Sequence, residues 1–187
     1  IGFSNAKWKR ELNQMRIEVK DLNEKLIPFN YEELELLSLN QSNVSIKRGF
    51  SKIYKGILET IYFEPLFSYI IKDFKGDYRL LLVNSSKHEL ALLKKSDATH
   101  VFLNNKLFGY FTKDFVFLNE NRKPVAYIDF KNSTEQCKVW LNGKNIGFVR
   151  NPTIKKSTTI RAFSLFSALK DDDLIVFMSL ILAYILE

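Results

Sequence analysis

Basic side chains form two clusters whose chemistry suits the binding of phosphate groups. One cluster lies on either side of residue 50 and the other lies around residue 150, and neither contains an acidic residue. Several lysines or arginines that converge on a phosphate each contribute about 1 kcal/mol near an anionic surface. The candidate anion-binding residues are Lys47, Arg48, Lys52 and Lys55 in the first cluster and Lys144, Arg150, Lys155 and Lys156 in the second.

The distribution of charge supports the same kind of partner. The chain has a formal net charge of +7, and residues 136–170 hold seven basic side chains and no acidic one. This asymmetry creates a positive potential that attracts phosphate-bearing partners, either lipid headgroups or nucleic acid. The alternative is a solvated basic face that only keeps the protein in solution.

Catalytic chemistry has little support in the sequence. There is no P-loop, dinucleotide-binding fingerprint, zinc-ligand spacing or nucleophile elbow. His88 follows Ser85 and Ser86 and precedes Glu89 within one predicted turn, but the members of a catalytic triad come from separate elements. His100 lies at the start of a predicted strand. We therefore expect a protein that is not an enzyme and that needs no cofactor.

No metal site is expected either. Asp171, Asp172 and Asp173 are adjacent, and they lack the alternating oxygen ligands and central glycine of a calcium-binding loop. Carboxylates at this position instead suit the start of a helix, where they meet free N–H groups and the positive end of the dipole. Cys137 is the single cysteine, so we expect no intramolecular disulfide and a small buried side chain.

The stretch that these acids precede, Leu174 to Leu186, is the most apolar of the chain. Apolar residues occupy every side of the predicted helix, so it must be buried in protein or in lipid. Its thirteen residues span about 20 Å, whereas a bilayer core requires about 30 Å. We expect the rest of the chain to enclose this helix.

The first part of the chain has a different pattern. Apolar residues from Ala6 to Leu26 recur at spacings of three and four, which predicts an amphipathic helix. Asn30 with Glu33 predicts a capping box at the start of a second, short helix. Residues 1–43 are thus predicted to form a helical arm on the outside of the main body.

The middle of the chain repeats one unit, an apolar strand, a turn with asparagine and a second apolar strand. The turns are predicted at Asn84, Asn104-Asn105, Asn119 and Asn142-Gly143. Asparagine and glycine tolerate the positive φ that tight hairpins require. The segments 101–111 and 139–149 align at an offset of 38 residues, with Gly109 and Gly147 at equivalent positions that predict a bulge or a close backbone approach.

These elements predict a mainly β (α+β) fold for residues 44–187. About eleven strands are counted from Lys52 onward, and a long antiparallel meander loses its free edges when it closes into a barrel. A barrel also provides the enclosure that the terminal helix requires. We therefore predict a closed antiparallel β-barrel of about 12 strands around a hydrophobic C-terminal helix, with the N-terminal amphipathic helices packed outside.

The repeated strand–turn–strand units and the acids that lead into an apolar terminal run resemble the superfamily of tubby proteins, phospholipid scramblases and LURP-one-related proteins. The resemblance covers residues 46–187 and implies a twelve-stranded barrel around a C-terminal helix. It also implies membrane association or phosphoinositide binding in some members. The tubby headgroup site has no residue-by-residue counterpart here.

We therefore expect a non-enzymatic binding or scaffold domain that recognises acidic phospholipid headgroups, in the cytoplasm or at a membrane surface. Two alternatives stay open. One is a protein-interaction module that acts through the N-terminal helices. The other is nonspecific nucleic-acid binding through the basic face, which the absence of a separate set of stacking aromatic residues disfavours.

Overall fold

The structure is a computed structural model that describes residues 5–48, 51–131, 135–153 and 160–186. Strands are the most abundant element of the described chain, because apolar and β-branched runs alternate with short turns. Its helices are α1 (Asn5–Glu18), α2 (Lys20–Asn23), α3 (Tyr31–Leu34) and α4 (Asp171–Leu186). Its strands are β1 (Leu37–Arg48), β2 (Ser51–Thr60), β3 (Pro65–Phe74), β4 (Tyr78–Asn84), β5 (Glu89–Lys94), β6 (Thr99–Leu103), β7 (Lys106–Phe111), β8 (Val116–Asn119), β9 (Pro124–Asp129), β10 (Gln136–Leu141), β11 (Lys144–Arg150) and β12 (Phe163–Leu165).

The strands form one antiparallel sheet of twelve, in which spatial order follows chain order from β1 to β12. The first and last strands approach each other at a seam, where Ser38 forms an antiparallel bridge with Arg161. The N–H of Ala162 donates to the carbonyl oxygen of Leu37 at 2.6 Å beside this bridge. The predicted antiparallel barrel is therefore confirmed as a nearly closed one. Because β1 begins at Leu37, the predicted boundary between residues 43 and 44 falls within this strand.

Helix α4 packs against the inner wall of the barrel. Phe177, Leu180 and Ile181 have no exposed surface, and they share one apolar cluster with the inward-facing residues of the strands. The helix starts at Asp171 and the three acids form its first turn, as predicted. Its sixteen residues span about 24 Å, so it reaches from one end of the barrel towards the other. Burial in protein thus satisfies the apolar surface of this helix.

Two names identify the ends of the barrel. The upper end is the one where α4 begins, and it holds the turns at residues 61–64, 85–88, 104–105, 120–123 and 142–143. The lower end is the one where α4 finishes, and it holds the turns at residues 75–77, 95–98 and 112–115. Because successive strands are antiparallel, the turns that connect them lie alternately at the upper and the lower end.

Helix α1 packs on the outer wall of the barrel, as predicted. Leu12, Met15 and Val19 join a second apolar cluster with the outward-facing Ile70 and Leu82. The predicted continuous helix from residue 6 to residue 26 is interrupted, because α1 ends at Glu18 and α2 starts at Lys20. The fully buried Val19 between them anchors this break against the sheet. The capping box of Asn30 and Glu33 is present at the start of α3.

The predicted hairpin chemistry is confirmed at two turns. Asn104, Asn105, Asn142 and Gly143 all have positive φ values, between 47° and 76°. Such values match the twist of a two-residue hairpin loop. The strand register shifts next to both glycines that the repeat predicted, because Val101 pairs with Gly109 in one hairpin and Val139 with Gly147 in the other.

Candidate functional site

The two predicted basic clusters are only partly brought together. Lys52 is exposed at the start of β2 and Arg150 is half-buried at the end of β11, so both lie at the lower end. Lys47 pairs with Lys52 in the β1–β2 ladder, and Arg48 pairs with Ser51. Across the seam, hydrogen bonds link Arg150 to Ala162 and Ala162 to Leu37, which pairs with Thr60 of β2. Lys52 lies eight residues from Thr60 along β2, which corresponds to about 26 Å of strand, so the two groups are not adjacent.

Two members of the clusters lie elsewhere. Lys144 is exposed at the start of β11, at the upper end, whereas Arg150 ends the same strand at the lower end. Lys55 lies along β2, where its ammonium donates to the carbonyl oxygen of Glu18 at 3.1 Å and is 3.6 Å from a carboxylate oxygen of Asp21. It therefore fastens the N-terminal helices to the barrel wall. Lys155 and Lys156 lie outside the described residues.

A cavity of about 890 Å³ opens at the lower end, and its lining combines an apolar floor with a basic rim. The floor contains Leu81 and Leu92 from the inner wall and Ala183 and Leu186 from the end of α4. Ligand sites are commonly concave, apolar and equipped with a few polar groups. This lower cavity is the candidate functional site.

The rim of the lower cavity has more basic than acidic side chains. Arg79 and Asp73 form an ion pair on it, with the arginine Nε donating to a carboxylate oxygen at 2.5 Å. Lys95 is half-buried and Lys113 is exposed. Among the described residues, the charged side chains that line the cavity are Arg79, Lys94, Lys95 and Lys113 against Asp73 and Asp77. These lining side chains carry a net positive charge.

The C-terminus of α4 has the opposite effect. A helix carries about half a negative charge at this end, which disfavours an anion on the floor of the cavity. The charges on the rim are whole charges and lie nearer to solvent. An anionic ligand is therefore favoured at the rim, with its apolar part on the floor.

The pKa of His100 is lowered by burial and by nearby positive charges. Partial burial is the main cause that lowers the pKa of its imidazole below the usual value, and the nearby Lys95 and Arg122 lower it further. Asp97 has the opposite, smaller effect on this pKa. The imidazole ring also packs edge-on against Tyr110 at 5.0 Å between centroids. Of the two cations that lower this pKa, only Lys95 belongs to the lower rim, because Arg122 lies in a turn of the upper end.

The turn before β8 shapes one side of the cavity. Phe115 has a φ of 55°, which a bulky side chain rarely adopts, and it lines the cavity. Strained backbone positions of this kind tend to cluster at functional sites.

The hydroxyl of Tyr184, on the last turns of α4, lies 3.6 Å from the sulfur of Cys137. Burial is the main cause that raises the pKa of Tyr184, and this thiol raises it further.

Sequence reasoning missed Lys95 and Lys113 because neither stands in an acid-free cluster. Lys95 directly follows the end of the apolar strand β5, and Lys113 follows the end of β7 after one intervening residue. Lysines that follow alternate strands of an antiparallel barrel share one end of it, and this signal was available. The acids Asp97 and Asp114 in the same turns concealed it.

The N-terminal helices use their apolar stripe within the chain. Beside the apolar cluster, Arg16 donates two hydrogen bonds to the carboxylate of Glu89, at 2.9 and 2.6 Å. Lys72 also forms an ion pair with Glu11. A partner that binds this region would therefore meet the polar outer side of α1.

The described residues were compared with the requirements of a membrane-spanning helix and of a metal site. None of the described helices is both long and apolar enough to cross a membrane. Within the same residues, no three histidine, cysteine or acidic side chains are grouped so that they could hold a metal ion. No family model, curated protein or solved structure matches this chain.

Proposed function

We propose that the chain is a non-enzymatic domain that binds acidic phospholipid at the lower end of its barrel. The observation that carries this proposal is the lower cavity of about 890 Å³, in which a basic rim surrounds an apolar floor. A phospholipid headgroup would bind to the rim lysines, and its glycerol and upper acyl segments would contact the floor. Its charged and apolar parts match the two parts of the cavity.

The basic residues around the same end extend the binding surface. Lys52 and Arg150 lie at the lower ends of their strands outside the cavity, and each adds a positive charge to this end of the barrel. Each basic residue near an anionic surface adds about 1 kcal/mol, and salt weakens the attraction. Binding is therefore expected to need anionic lipid and to weaken as the ionic strength rises.

We also propose that the chain is related to the tubby, scramblase and LURP-one-related proteins. The twelve antiparallel strands around α4 support this relation. Membrane association in some members of that superfamily agrees with the proposed ligand, although a shared fold does not by itself fix a function.

Vesicle sedimentation tests the proposed function. The chain should sediment with vesicles that contain phosphatidylserine and not with vesicles of phosphatidylcholine alone. The double variant Lys95→Glu, Lys113→Glu should bind at least about tenfold more weakly, because two favourable charges become unfavourable.

A matched control carries the same change of charge at the other end. Lys106→Glu with Lys144→Glu alters two exposed lysines of the upper end and should leave vesicle binding close to that of the parent chain. If both double variants lost the same vesicle affinity, the binding would be nonspecific electrostatic attraction, and the assignment to the lower end would be wrong. Absence of binding to any vesicle, or equally tight binding of an acidic oligonucleotide, would contradict the proposal.

A further inference from the structure

A second cavity, of about 500 Å³, lies at the upper end of the barrel. It lies between α3 and the first half of α4 and opens towards the inner wall of the sheet. Val83 and Leu90 form part of its inner surface, and both are buried. This upper cavity is separate from the lower one, which the end of α4 borders.

The lining of the upper cavity follows one side of α4. Leu174, Met178 and Leu182 line it from its rim towards the barrel interior. The eight helical steps from Leu174 to Leu182 correspond to about 12 Å of helix. A linear apolar ligand can lie beside the helix over this length.

The polar groups in the wall are already used by the protein. The hydroxyl of Ser179 donates to the carbonyl oxygen of Ile175 at 2.8 Å, within the helix itself. The hydroxyl of Tyr31 donates to the carbonyl oxygen of Ser167 at 3.2 Å. These hydrogen bonds leave the wall suited to methylene groups.

The rim holds a positive charge on the turn between β4 and β5. The hydroxyl oxygen of Ser85 accepts hydrogen bonds from the backbone N–H groups of Lys87 and His88, at 3.3 and 3.0 Å, which fixes the turn. Lys87 itself is exposed, and no ion pair is found for it within the described parts of the chain. Asp171 lies on the helix side of the rim, where its carboxylate is offset by the positive end of the α4 dipole.

We propose that the upper cavity binds a single-chain carboxylate amphiphile such as a fatty acid. The hydrocarbon chain lies along α4, and the carboxylate pairs with Lys87 at the rim. This site does not depend on the phospholipid surface at the lower end. A free fatty acid therefore binds whether or not the chain binds vesicles.

The chain has two methionines, and they provide a direct test. Met178 lines the upper cavity, whereas Met15 is 1% exposed beneath α1 on the outer wall. With ¹³C-methyl methionine, dodecanoate added below its critical micelle concentration should shift the Met178 signal saturably and leave the Met15 signal in place. Equal shifts of both signals, or no shift of Met178, would overturn the proposal.

Two variants test the binding of the hydrocarbon tail and of the carboxylate separately. Ile175→Trp, at a half-buried position of the lining, should fill the cavity and abolish the dodecanoate-dependent shift. Lys87→Glu changes only an exposed side chain, so its folding is not in question, and it should weaken dodecanoate binding about fivefold, as the loss of one partly exposed ion pair does.

Dodecanol supplies the matched ligand. It has the same hydrocarbon chain without the charge, so it should bind the parent chain more weakly than dodecanoate does. Its affinity should be unchanged by Lys87→Glu. Equal affinity of the alcohol and the carboxylate for the parent chain would overturn the role of Lys87, as would an unchanged dodecanoate affinity in the Lys87→Glu variant.

Discussion

The ring of Phe115 stands edge-on to the ring of Tyr184, with 5.3 Å between their centroids and 90° between their planes. The first ring belongs to the turn between β7 and β8, and the second belongs to the last turns of α4. The pair therefore fastens the end of the central helix to the lower rim of the barrel. It does so through a residue whose φ of 55° is unfavourable for phenylalanine.

Replacing the ring should measure the worth of this fastening. Phe115→Leu should lower the free energy of unfolding by about 1 kcal/mol, which is typical of a lost aromatic pair. Phe63→Leu is a matched control, because Phe63 has a similar φ of 64° and a side chain that is 60% exposed. Urea unfolding should find the control within about 0.5 kcal/mol of the parent chain. Equal losses in the two variants would contradict the role of the pair.

Substitutions at the two glycines of the β10–β11 hairpin should differ in their effect on stability. A Cβ atom on Gly147 would collide with the carbonyl oxygen of Ser164 in β12, so Gly147→Ala should cost about 1–3 kcal/mol. A Cβ atom on Gly143 would meet no atom within 4 Å, and the φ of 76° at this position is one that asparagine tolerates. Gly143→Asn should therefore be nearly neutral although its side chain is larger. Thermal unfolding gives the order, and a reversed order would reject the close approach at Gly147.

The lowered pKa of His100 makes stability depend on pH in a defined direction. The folded chain binds this proton less tightly than the unfolded chain, whose histidines titrate near pH 6.5. The stabilising contribution is therefore present above about pH 6.5 and is lost as the pH falls towards the folded pKa. His100→Phe keeps a ring against Tyr110 and should weaken the loss of stability on acidification. An NMR titration midpoint of the His100 ring above 6.5 would contradict this sign.

The ion pair between α1 and the barrel should show measurable coupling. Arg16 and Glu89 have side chains that are 29% and 22% exposed and share two hydrogen bonds. A double-mutant cycle with alanine should give a coupling energy of about 1 kcal/mol, near the upper limit for partly exposed pairs. Arg10 with Glu11 is the control, since these groups are 3.9 Å apart and Arg10 is 78% exposed. Its coupling should be close to zero, and equal values would reject the special role of Arg16.

Local signals allowed much of the fold to be predicted. The turn at Asn142-Gly143 depends on φ values that few residue types accept, so the residues themselves reveal it. Helix α4 was identifiable because its acids and its apolar residues follow one another without interruption. Gly109 and Gly147 were identifiable because the same strand unit occurs twice. Each of these inferences needs only a few neighbouring residues.

The candidate site depends on distances that such signals do not contain. Lys144 and Arg150 are close in sequence, yet β11 carries them to opposite ends of the barrel. Lys95 and Lys113 are farther apart in sequence, yet they line one cavity because their strands end at the same side. Only the alternation of strand directions relates these positions, and it is known once the barrel order is known.

One pattern in the sequence could have located α1. Strands β3, β4 and β5 consist of almost continuous buried apolar residues, whereas β9 and β10 alternate between buried and exposed positions. Continuous burial requires cover on both faces of a sheet. The inner cover is α4 and the outer cover is α1, which packs on Ile70 and Leu82.

Helix α4 follows the twelve strands of the described part of the chain, and this order constrains how the protein can be made. While a ribosome is still producing the strands, the inner wall of the sheet lacks the apolar residues that cover it in the finished molecule. Such a nascent chain exposes surface that favours aggregation, so it is expected to bind chaperones until α4 emerges.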